Sequence, residues 1–390
     1  MRTAEAFRKK SGIDVLTGHR VERIDTNGGA VTGSGPEAKV FAIPFDRLLI
    51  ATGAAPIVPA RPGFDRPEVV VVKTLDDTRA IKARLQSTLV QKAVIIGMGY
   101  IAMEMAEALR ARQIDVAMVK PRAELLPWMD AELAATVRRE LESHQVQVHT
   151  GFDAVRIEGQ GGRGVVCDAG GTSLSADLVI VAVGIAPNSA LAAEAGLTLG
   201  PARSIAVDRQ LRTSHPAIYA AGDCADAFHV VSGQRVWIPL ALRANRAGWA
   251  VADHLCAKPV SLQGVAGTAV FKVFDLQVAR TGLTTAEATQ AGFAPAAVTI
   301  TAPSRAHSYP GGTPLQVHLV GDRRSGRLLG AQMVGREGAA HRINTPAVAL
   351  HAAMTVEQFS QTDLAYAPPF GPTWDPLLVA ANQLVKKMKE

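Results

Sequence analysis

Two kinds of hydrophobic pattern occur in different parts of the chain. Continuous apolar runs at 93–96, within the predicted strand 115–119, and at 178–183 are typical of parallel strands that are buried on both faces. Short apolar segments at 13–16, 21–24, 30–31 and 40–43 are separated by Gly, Asn and Pro, and this spacing predicts a β-meander. The chain therefore combines a parallel sheet with antiparallel strands.

The segment from Lys92 onward has the order of a βαβ unit. A buried strand ends at Ile96, the turn Gly97-Met98-Gly99 follows, and Tyr100–Gln113 has helical periodicity before the next strand. Similar patterns predict the remaining main helices, which are 3–10, a helix starting at Thr74, 134–143, 243–256, 342–353 and 377–387. Strands at 268–274, 298–301, 315–320 and 328–334 predict a separate C-terminal domain.

Composition excludes several classes of protein. The 390 residues are too many for one core and predict two to three domains. The net charge of +6 is scattered, which disfavours a nucleic-acid surface. The three cysteines lie far apart, so neither a metal site nor a disulfide framework is expected and a reducing cytoplasm is the simple expectation. No apolar run is long enough to predict a membrane span.

The turn after the strand at 92–96 carries the clearest chemistry. Gly97-Met98-Gly99-Tyr100-Ile101-Ala102 has the pattern G-x-G-x-x-A between a strand and a helix. The first glycine permits a tight turn, the second lets the backbone approach a pyrophosphate, and a small third residue lets the helix pack on the strand. Gly97, Gly99 and Ala102 are therefore predicted to bind a dinucleotide.

Two cations stand where such a site often has an acid. The end of the second strand is Lys120, followed by Pro121 and Arg122. An acid there would bind the ribose 2′-hydroxyl of NAD, whereas cations suit the 2′-phosphate of NADP. Lys120 and Arg122 favour NADPH, although an ordinary surface Lys and Arg beside an NAD site is the alternative.

A candidate acidic ligand follows a short buried strand. Asp223, in Ala221-Gly222-Asp223-Cys224, can accept hydrogen bonds from a polyol chain. The same residue could equally be a helix N-cap, and taken alone the N-cap is the better interpretation.

Seven motifs in order over nearly the whole chain resemble the pyridine nucleotide–disulfide oxidoreductase superfamily, within it the branch of CoA-disulfide reductases, NADH oxidases and NADH peroxidases. They are 48–54, 97–104, 183–188, 218–225, 239–246, 271–275 and 364–370 followed by 374–376. The resemblance implies an α/β fold with two Rossmann-like domains, binding FAD and NAD(P), and a C-terminal α+β dimerisation domain. The boundaries expected are 1–80 with 206–258 for FAD, 81–205 for NAD(P), and 262–390 for dimerisation.

The resemblance also implies roles for single residues. The flavin would be lined by Thr52, Gly53, Gly222, Asp223, Leu240 and Ala241, and the nicotinamide nucleotide by Gly97, Gly99, Tyr100, Ile101, Ala102, Glu104, Lys120, Arg122 and Gly184. Tyr100 would gate the nicotinamide pocket and Glu104 would lie near the nicotinamide.

Tyrosines of the C-terminal domain are expected near the partner's active site in a homodimer. Tyr309 and Tyr366 stand in the corresponding motifs, and with Glu104 they are the candidate catalytic residues. Interface tyrosines without a catalytic role are the alternative. Phe370 stands where some relatives have another tyrosine, so no role is carried over to it.

The chain departs from the family pattern at its start. The family begins with a strand–GxGxxG–helix unit for FAD and a helix that carries the redox cysteine, and the first helix here resembles a later part of that domain. Cys167, Cys224 and Cys256 do not stand at the redox position, and all three are expected to be small buried hydrophobes. A late start codon or truncated gene, or a genuinely short form, are the two explanations. No sulfurtransferase domain is expected after residue 390.

These observations predict a cytoplasmic FAD-dependent NAD(P)H oxidoreductase that passes hydride to flavin and on to a small-molecule acceptor. The acceptor would be a disulfide or persulfide of the coenzyme A type, peroxide or oxygen. A non-catalytic NAD(P)-binding dimer without flavin and redox cysteine is the alternative, and an enzyme that keeps flavin without the cysteine is a third hypothesis. A ferredoxin-type reductase is disfavoured by the motifs at 271–275 and 364–370.

Overall fold

The computed structural model describes residues 3–161 and 163–390, apart from the side chain of residue 160. The chain divides into two compact units. The first comprises residues 3–54, 187–228 and 235–264, and the second comprises 55–186, 229–234 and 265–390. The three-domain boundaries derived from the sequence stay a prediction.

The helices of the described residues vary from one turn to four turns. In chain order they are α1 Ala4–Ser11, α2 Leu75–Ser87, α3 Tyr100–Arg110, α4 Ala131–Ser143, α5 Ala190–Glu194, α6 Ala241–Leu255, α7 Thr285–Gln290, α8 Ala339–Arg342, α9 Asn344–His351, α10 Val356–Ser360 and α11 Pro376–Lys389. Three of them, α2, α7 and α10, begin with a capping box, in which a threonine and the residue three positions later exchange hydrogen bonds with each other's backbone.

The strands are mostly short. In chain order they are β1 Arg20–Asp25, β2 Ala30–Ser34, β3 Val40–Pro44, β4 Leu48–Ile50, β5 Ala54–Pro56, β6 Val69–Val71, β7 Lys92–Ile96, β8 Asp115–Lys120, β9 Val146–Thr150, β10 Ala154–Gln160, β11 Arg163–Asp168, β12 Ser173–Ala176, β13 Leu178–Val181, β14 Ile185–Pro187, β15 Ile218–Ala220, β16 Ala227–Phe228, β17 Arg235–Val236, β18 Ala269–Val273, β19 Leu276–Gly282, β20 Pro295–Pro303, β21 Pro314–Asp322 and β22 Leu328–Gly335.

The first unit contains an antiparallel sheet and a parallel strand pair. Strands β1, β2 and β3 form the predicted meander, and β4 pairs in parallel with β15. The predicted segment Ile13–Leu16 is wrong as a strand, because it forms an exposed loop. Its apolar residues have no sheet partner in the described structure, and alternation alone cannot supply one.

The second unit is built on a five-stranded parallel sheet with the order β6-β13-β7-β8-β9. The apolar runs predicted as doubly buried strands occupy the three central positions, and Ile95 and Ile180 are fully buried. The predicted βαβ unit is confirmed, although α3 ends at Arg110, three residues earlier than expected. The antiparallel strands β10, β11 and β12 form a separate three-stranded sheet in the same unit.

The C-terminal half of the second unit is a five-stranded antiparallel sheet with the order β18-β19-β22-β21-β20. Helix α11 packs on β20 and β21, and its apolar face enters the core of this sheet. The helix predicted at 342–353 is observed as α9 Asn344–His351, and Arg342 instead ends the short helix α8. Pro346 has no N–H to donate to the carbonyl of Arg342, four residues earlier, and this absence favours the break.

Asp177 holds the start of the central strand β7. One of its carboxylate oxygens accepts hydrogen bonds from the N–H groups of Gln91 and Lys92, both at 2.9 Å, and the other lies 2.7 Å from Nε of Arg163. Burial alone would raise the pKa of Asp177, but these donors outweigh it and lower the pKa below its ordinary value of 3.8.

We expect Asp177→Ala to lower the free energy of unfolding by about 2–3 kcal/mol at neutral pH, because two N–H groups and a guanidinium lose their buried acceptor. The folded-state pKa of Asp177 is depressed, so its contribution is complete above the unfolded pKa and declines as the pH falls through the folded pKa. Urea unfolding at pH ~7 and pH ~3 should therefore show a smaller difference between wild type and variant in acid. The exposed Asp65→Ala is the control, and an equal effect of both substitutions would contradict this role.

Candidate active site

Gly97 forms the turn between β7 and α3. Its φ is 122°, and a Cβ atom at this position would lie only 2.2 Å from the carbonyl oxygen of Ala182. Ala182 follows β13, the neighbour of β7, and its N–H donates to the carbonyl of Ile96 at 2.8 Å. Only glycine fits such a close approach of two strands.

The N-terminus of α3 is open. Gly99 is its N-cap, no side chain caps the helix, and a Cβ at Gly99 would meet no atom within 4 Å. Ala102, in the first turn, is 0% exposed because the helix packs closely on the sheet. Unsatisfied N–H groups and the helix dipole favour an anion at this end, so the turn fits the pyrophosphate of a dinucleotide.

Neighbouring parallel strands bring the other predicted residues to the same edge of the sheet. Strands β13, β7 and β8 are adjacent, and each ends at this edge. Gly184 follows β13 with a φ of 128°, and its carbonyl accepts a hydrogen bond from the N–H of Ile57 at 3.0 Å. Lys120 ends β8. The structure thus brings Gly97, Gly184 and Lys120 to one edge.

Lys120 is engaged by its own loop. Its ammonium donates to the carbonyls of Glu124 at 2.7 Å and of Leu125 at 3.1 Å. Burial and the nearby Arg122 lower the pKa of Lys120. Arg122 is exposed. Of the two predicted cations, Arg122 is therefore the one on the surface, while Lys120 closes the loop.

Tyr100 and Glu104 are one turn apart on α3. Tyr100 is the first residue of the helix, and it and Ile101 are 40% and 43% exposed beside the open N-terminus. Glu104 lies on the exposed side of the helix, yet neighbouring protein atoms and Glu107 raise the pKa of its carboxyl. A raised pKa favours the protonated form, which can donate a hydrogen bond to a neutral ligand.

Four of the predicted flavin residues, Thr52, Gly53, Gly222 and Asp223, lie after the parallel strands β4 and β15. The loop after β4 is held by Asn188: the Thr52 hydroxyl donates to its carbonyl at 2.5 Å, and its side-chain amide donates to the Thr52 carbonyl at 2.9 Å. Gly53 and Gly222 have φ values of 70° and 85°, and neither has an atom within 4 Å of a Cβ position. Both loops therefore leave space for a ligand at the carboxyl ends of adjacent strands.

Arg243 supports the loop that contains Asp223, a role that the sequence analysis missed. Its guanidinium donates to the carbonyl of Gly222 at 2.7 Å and to that of Asp226. The carbonyl of Asp223 accepts from the indole of Trp237 at 2.8 Å. Arg243 is 7% exposed and lies on the buried stripe of α6. The spacing of Arg243 from Ala247 and Ala250 places all three on one face of the helix, and this pattern in the sequence could have indicated a buried arginine.

Helix α6 begins beside the same candidate site residues. Leu240 is its N-cap without a side-chain hydrogen bond, and Ala241 is exposed. The free N–H groups of its first turn suit an electron-rich flavin edge in the same way as α3 suits a pyrophosphate. The loops at Thr52 and Gly222 and this helix N-terminus together fit part of a flavin.

The two candidate tyrosines of the C-terminal domain lie on loops that are hydrogen-bonded to each other. The N–H of Ala306 donates to the carbonyl of Pro368 at 3.1 Å, which connects the loop of Tyr309 with that of Tyr366. The rings are 39% and 50% exposed. Arg342 donates to the carbonyl of Phe370 at 2.7 Å, so the second loop is also anchored to α8.

The cysteines are only partly as expected. Cys167 and Cys224 are buried, and the Cys224 thiol donates to the carbonyl of Ala221 at 3.3 Å. The expectation of burial is wrong for Cys256, which is exposed as the C-cap of α6, because the apolar face of that helix ends before it.

Within the described residues, one group has the ligand atoms to hold a metal ion. Glu140, His144 and Asp275 have such atoms within 4.8 Å of one another. Arg336 donates to Glu140 at 2.9 Å and to Asp275 at 2.8 Å, and thereby supplies a positive charge between the carboxylates. The group is accounted for as an ion-pair network between α4 and the C-terminal sheet.

None of the described helices combines the length and apolar character that crossing a bilayer requires.

We expect Gly97→Ala to weaken NAD(P)H binding by at least about 10-fold, because the added methyl forces the turn away from Ala182 and moves the N–H groups of α3. Isothermal titration calorimetry with each nucleotide measures the effect. Gly248→Ala is the matched control: it lies within α6, where a Cβ meets no atom within 4 Å, so binding should be unchanged. Equal affinity of wild type and Gly97→Ala would disprove the assignment of the turn.

Comparison with known proteins identifies the relatives of this architecture. The sequence model of the pyridine nucleotide-disulphide oxidoreductases matches residues 2–248, and that of their dimerisation domain matches 268–376. An NAD(P)H coenzyme A polysulfide/persulfide reductase from Pyrococcus horikoshii is 39% identical over 382 residues, covering 97% of this chain and 84% of the relative.

Solved structures agree with these matches. An NAD-dependent persulfide reductase from A. fulgidus superposes with a TM-score of 0.95 at 34% identity, covering 100% of this chain and 72% of the other. An engineered water-forming NADPH oxidase superposes with a TM-score of 0.91 at 26% identity, covering 95% and 82%. The predicted α/β class is confirmed, and the dimerisation-domain match supports a homodimer. The chain belongs to the pyridine nucleotide-disulphide oxidoreductase family.

Proposed function

We propose that this protein is a flavin-dependent NAD(P)H oxidoreductase whose acceptor is a persulfide or disulfide of the coenzyme A type. The open glycine turn at Gly97 and Gly99 carries the proposal, because it is shaped for the pyrophosphate of a dinucleotide. The P. horikoshii relative is named for NAD(P)H and coenzyme A persulfide, which favours this acceptor class. The non-catalytic dimer considered above is not favoured, because the relatives are named oxidoreductases.

The residues of the glycine turn and its surroundings orient the nicotinamide nucleotide. The N–H groups at the start of α3 bind the pyrophosphate, and Ala102 lets the helix approach closely enough to do so. Tyr100 and Ile101 line the exposed side of the turn, and Glu104, one helical turn after Tyr100, lies toward the nicotinamide side. Gly184 keeps the neighbouring loop free of a side chain.

The remaining candidate residues hold the flavin and receive the acceptor. Thr52, Gly53, Gly222, Asp223, Leu240 and Ala241 would hold FAD, with Asp223 on its ribitol. Bound FAD supplies hydride and electron transfer between NAD(P)H and the acceptor. Tyr309 and Tyr366 carry phenol groups that can donate a proton or a hydrogen bond to the acceptor from the dimerisation domain.

The first test measures NAD(P)H oxidation by the purified chain supplied with FAD, using coenzyme A persulfide, coenzyme A disulfide and oxygen as separate acceptors. We expect anaerobic turnover with the sulfur acceptor, and expect Gly97→Ala to raise KM for NAD(P)H by at least about 10-fold. Turnover with oxygen alone would show that the protein is an oxidase and would overturn the sulfur acceptor. The engineered water-forming NADPH oxidase is a structural relative with that activity. No NAD(P)H oxidation with any acceptor would refute the proposal.

The preference for NADPH depends on Arg122. This side chain is exposed two residues beyond the end of β8, and that strand ends at Lys120 and not at an acid that could bind a ribose hydroxyl. The substitutions named for the engineered NADPH oxidase remove an aspartate and add two arginines, which agrees with a cation-based choice of NADPH in that protein.

We expect Arg122→Ala to raise KM for NADPH by about 10-fold and to leave KM for NADH nearly unchanged, because only NADPH has the 2′-phosphate that the guanidinium contacts. Lys120→Met should weaken the binding of NADH and NADPH alike, because it opens the loop that Lys120 closes. Arg112→Ala, an exposed arginine after α3, is the control. Steady-state kinetics with both nucleotides decides, and equal changes for NADH and NADPH in Arg122→Ala would contradict the assignment.

A further inference from the structure

An aromatic cluster connects the open turn with the C-terminal sheet. Its members are Tyr100 at the start of α3, Trp128 in the loop after β8, and Phe271 on β18. The Tyr100 ring centroid lies 5.4 Å from that of Phe271 and 6.2 Å from that of Trp128, and Trp128 and Phe271 are 6.4 Å apart. These separations are in the range in which aromatic pairs attract each other.

The C-terminal sheet also fixes Trp128 from its other sides. Arg280, on β19, places its guanidinium 5.2 Å from the centroid of the indole. Gln332, on β22 and only 3% exposed, donates to the carbonyl of Trp128 at 3.1 Å and accepts from the N–H of Asp130 at 2.8 Å. A buried amide with both ends engaged holds the loop strongly, because moving it would leave polar groups unpaired. Three strands of this sheet therefore hold Trp128 and Tyr100.

Phe271 and Tyr100 differ in exposure in a way that suggests their roles. Phe271 is 7% exposed and belongs to the core, whereas Tyr100 is 40% exposed beside the helix N-terminus where the pyrophosphate would bind. A tyrosine at the first helical position can contact a ligand at that terminus, and its ring position depends on what packs behind it. Behind it lie Phe271 and Trp128.

We propose that Phe271 and Trp128 are positioning residues of the nucleotide site, which hold the Tyr100 ring so that it can pack on the bound nicotinamide nucleotide. The inference rests on the proposed binding of NAD(P)H at Gly97–Ala102. The dimerisation domain thereby sets the affinity of the nucleotide site without touching the nucleotide. Because Trp128 contacts Tyr100 directly, its fluorescence reports on the occupancy of the site.

The test combines calorimetry with tryptophan fluorescence, using NADP⁺ as the probe. Phe271→Ala should raise the Kd for NADP⁺ by about three- to ten-fold, the equivalent of losing one or two aromatic contacts. Phe271→Tyr keeps the ring and should remain within about two-fold of wild type. Val270→Ala, at a neighbouring position that is 52% exposed, is the matched control. Trp128→Leu provides a second variant with the same expected direction.

A double-mutant cycle separates positioning from a general effect on folding. In a Tyr100→Ala background, Phe271→Ala should cause no further loss of affinity, because the ring that Phe271 positions is gone. The protein contains four tryptophans, so the signal of Trp128 is the nucleotide-dependent fluorescence change that Trp128→Phe removes.

Each result has a definite meaning. Weaker binding in Phe271→Ala that disappears in the Tyr100→Ala background, together with a Trp128-dependent signal, supports the inference. Unchanged NADP⁺ affinity in both Phe271→Ala and Trp128→Leu, or additive losses in the double mutant, overturns it while the proposed function stands. No binding of NADP⁺ or NAD⁺ to the wild-type protein defeats the proposed function and this inference together.

Discussion

The close approach of Gly97 to the carbonyl of Ala182 determines the shape of the proposed nucleotide site. Two parallel strands approach each other so closely at their carboxyl ends that no side chain fits between them. This closeness aligns the N-terminus of α3 with the edge of the sheet and leaves its N–H groups open. The loops after β13 and β8 end at the same edge because parallel strands all point one way. The proposed nucleotide site is thus a consequence of strand pairing, and it requires glycine at position 97.

The elements that sequence patterns predicted well are those defined by local rules. The strand, glycine turn and helix at 92–110 follow from apolar periodicity and from the steric needs of a tight turn, and the structure contains all three. Strands β1, β2 and β3 follow from short apolar segments between turn residues. The loop at Ile13–Leu16 has the same local pattern and forms no strand, because a strand also needs a partner that the pattern does not specify.

The contacts that the sequence could not reveal depend on the folded backbone, whether their partners lie near or far in the chain. Lysine is a residue type that commonly binds phosphate, but in the folded chain the Lys120 ammonium donates hydrogen bonds to the carbonyls of Glu124 and Leu125. Arg243 was predictable in principle from its place on an apolar helical stripe, yet its partners at Gly222 and Asp226 depend on the tertiary fold. The packing of Tyr100 against Phe271 joins positions that only the folded C-terminal sheet brings together. Residue types predict candidate chemistry, whereas the partners of those residues decide which candidates remain available.

Buried polar groups make the loop after β8 dependent on the C-terminal sheet. Gln332 exchanges hydrogen bonds with the backbone at Trp128 and Asp130, and a small shift of the loop would leave these groups unpaired at a cost larger than that of an apolar mismatch. The same loop carries Lys120 at its start and Arg122 two residues later. A change in β22 that moves Trp128 therefore also moves Arg122, the cation proposed to select the nucleotide. Under the proposed function, cofactor preference and the structure of the dimerisation domain are therefore coupled, and substitutions that alter one without compensation should disturb the other.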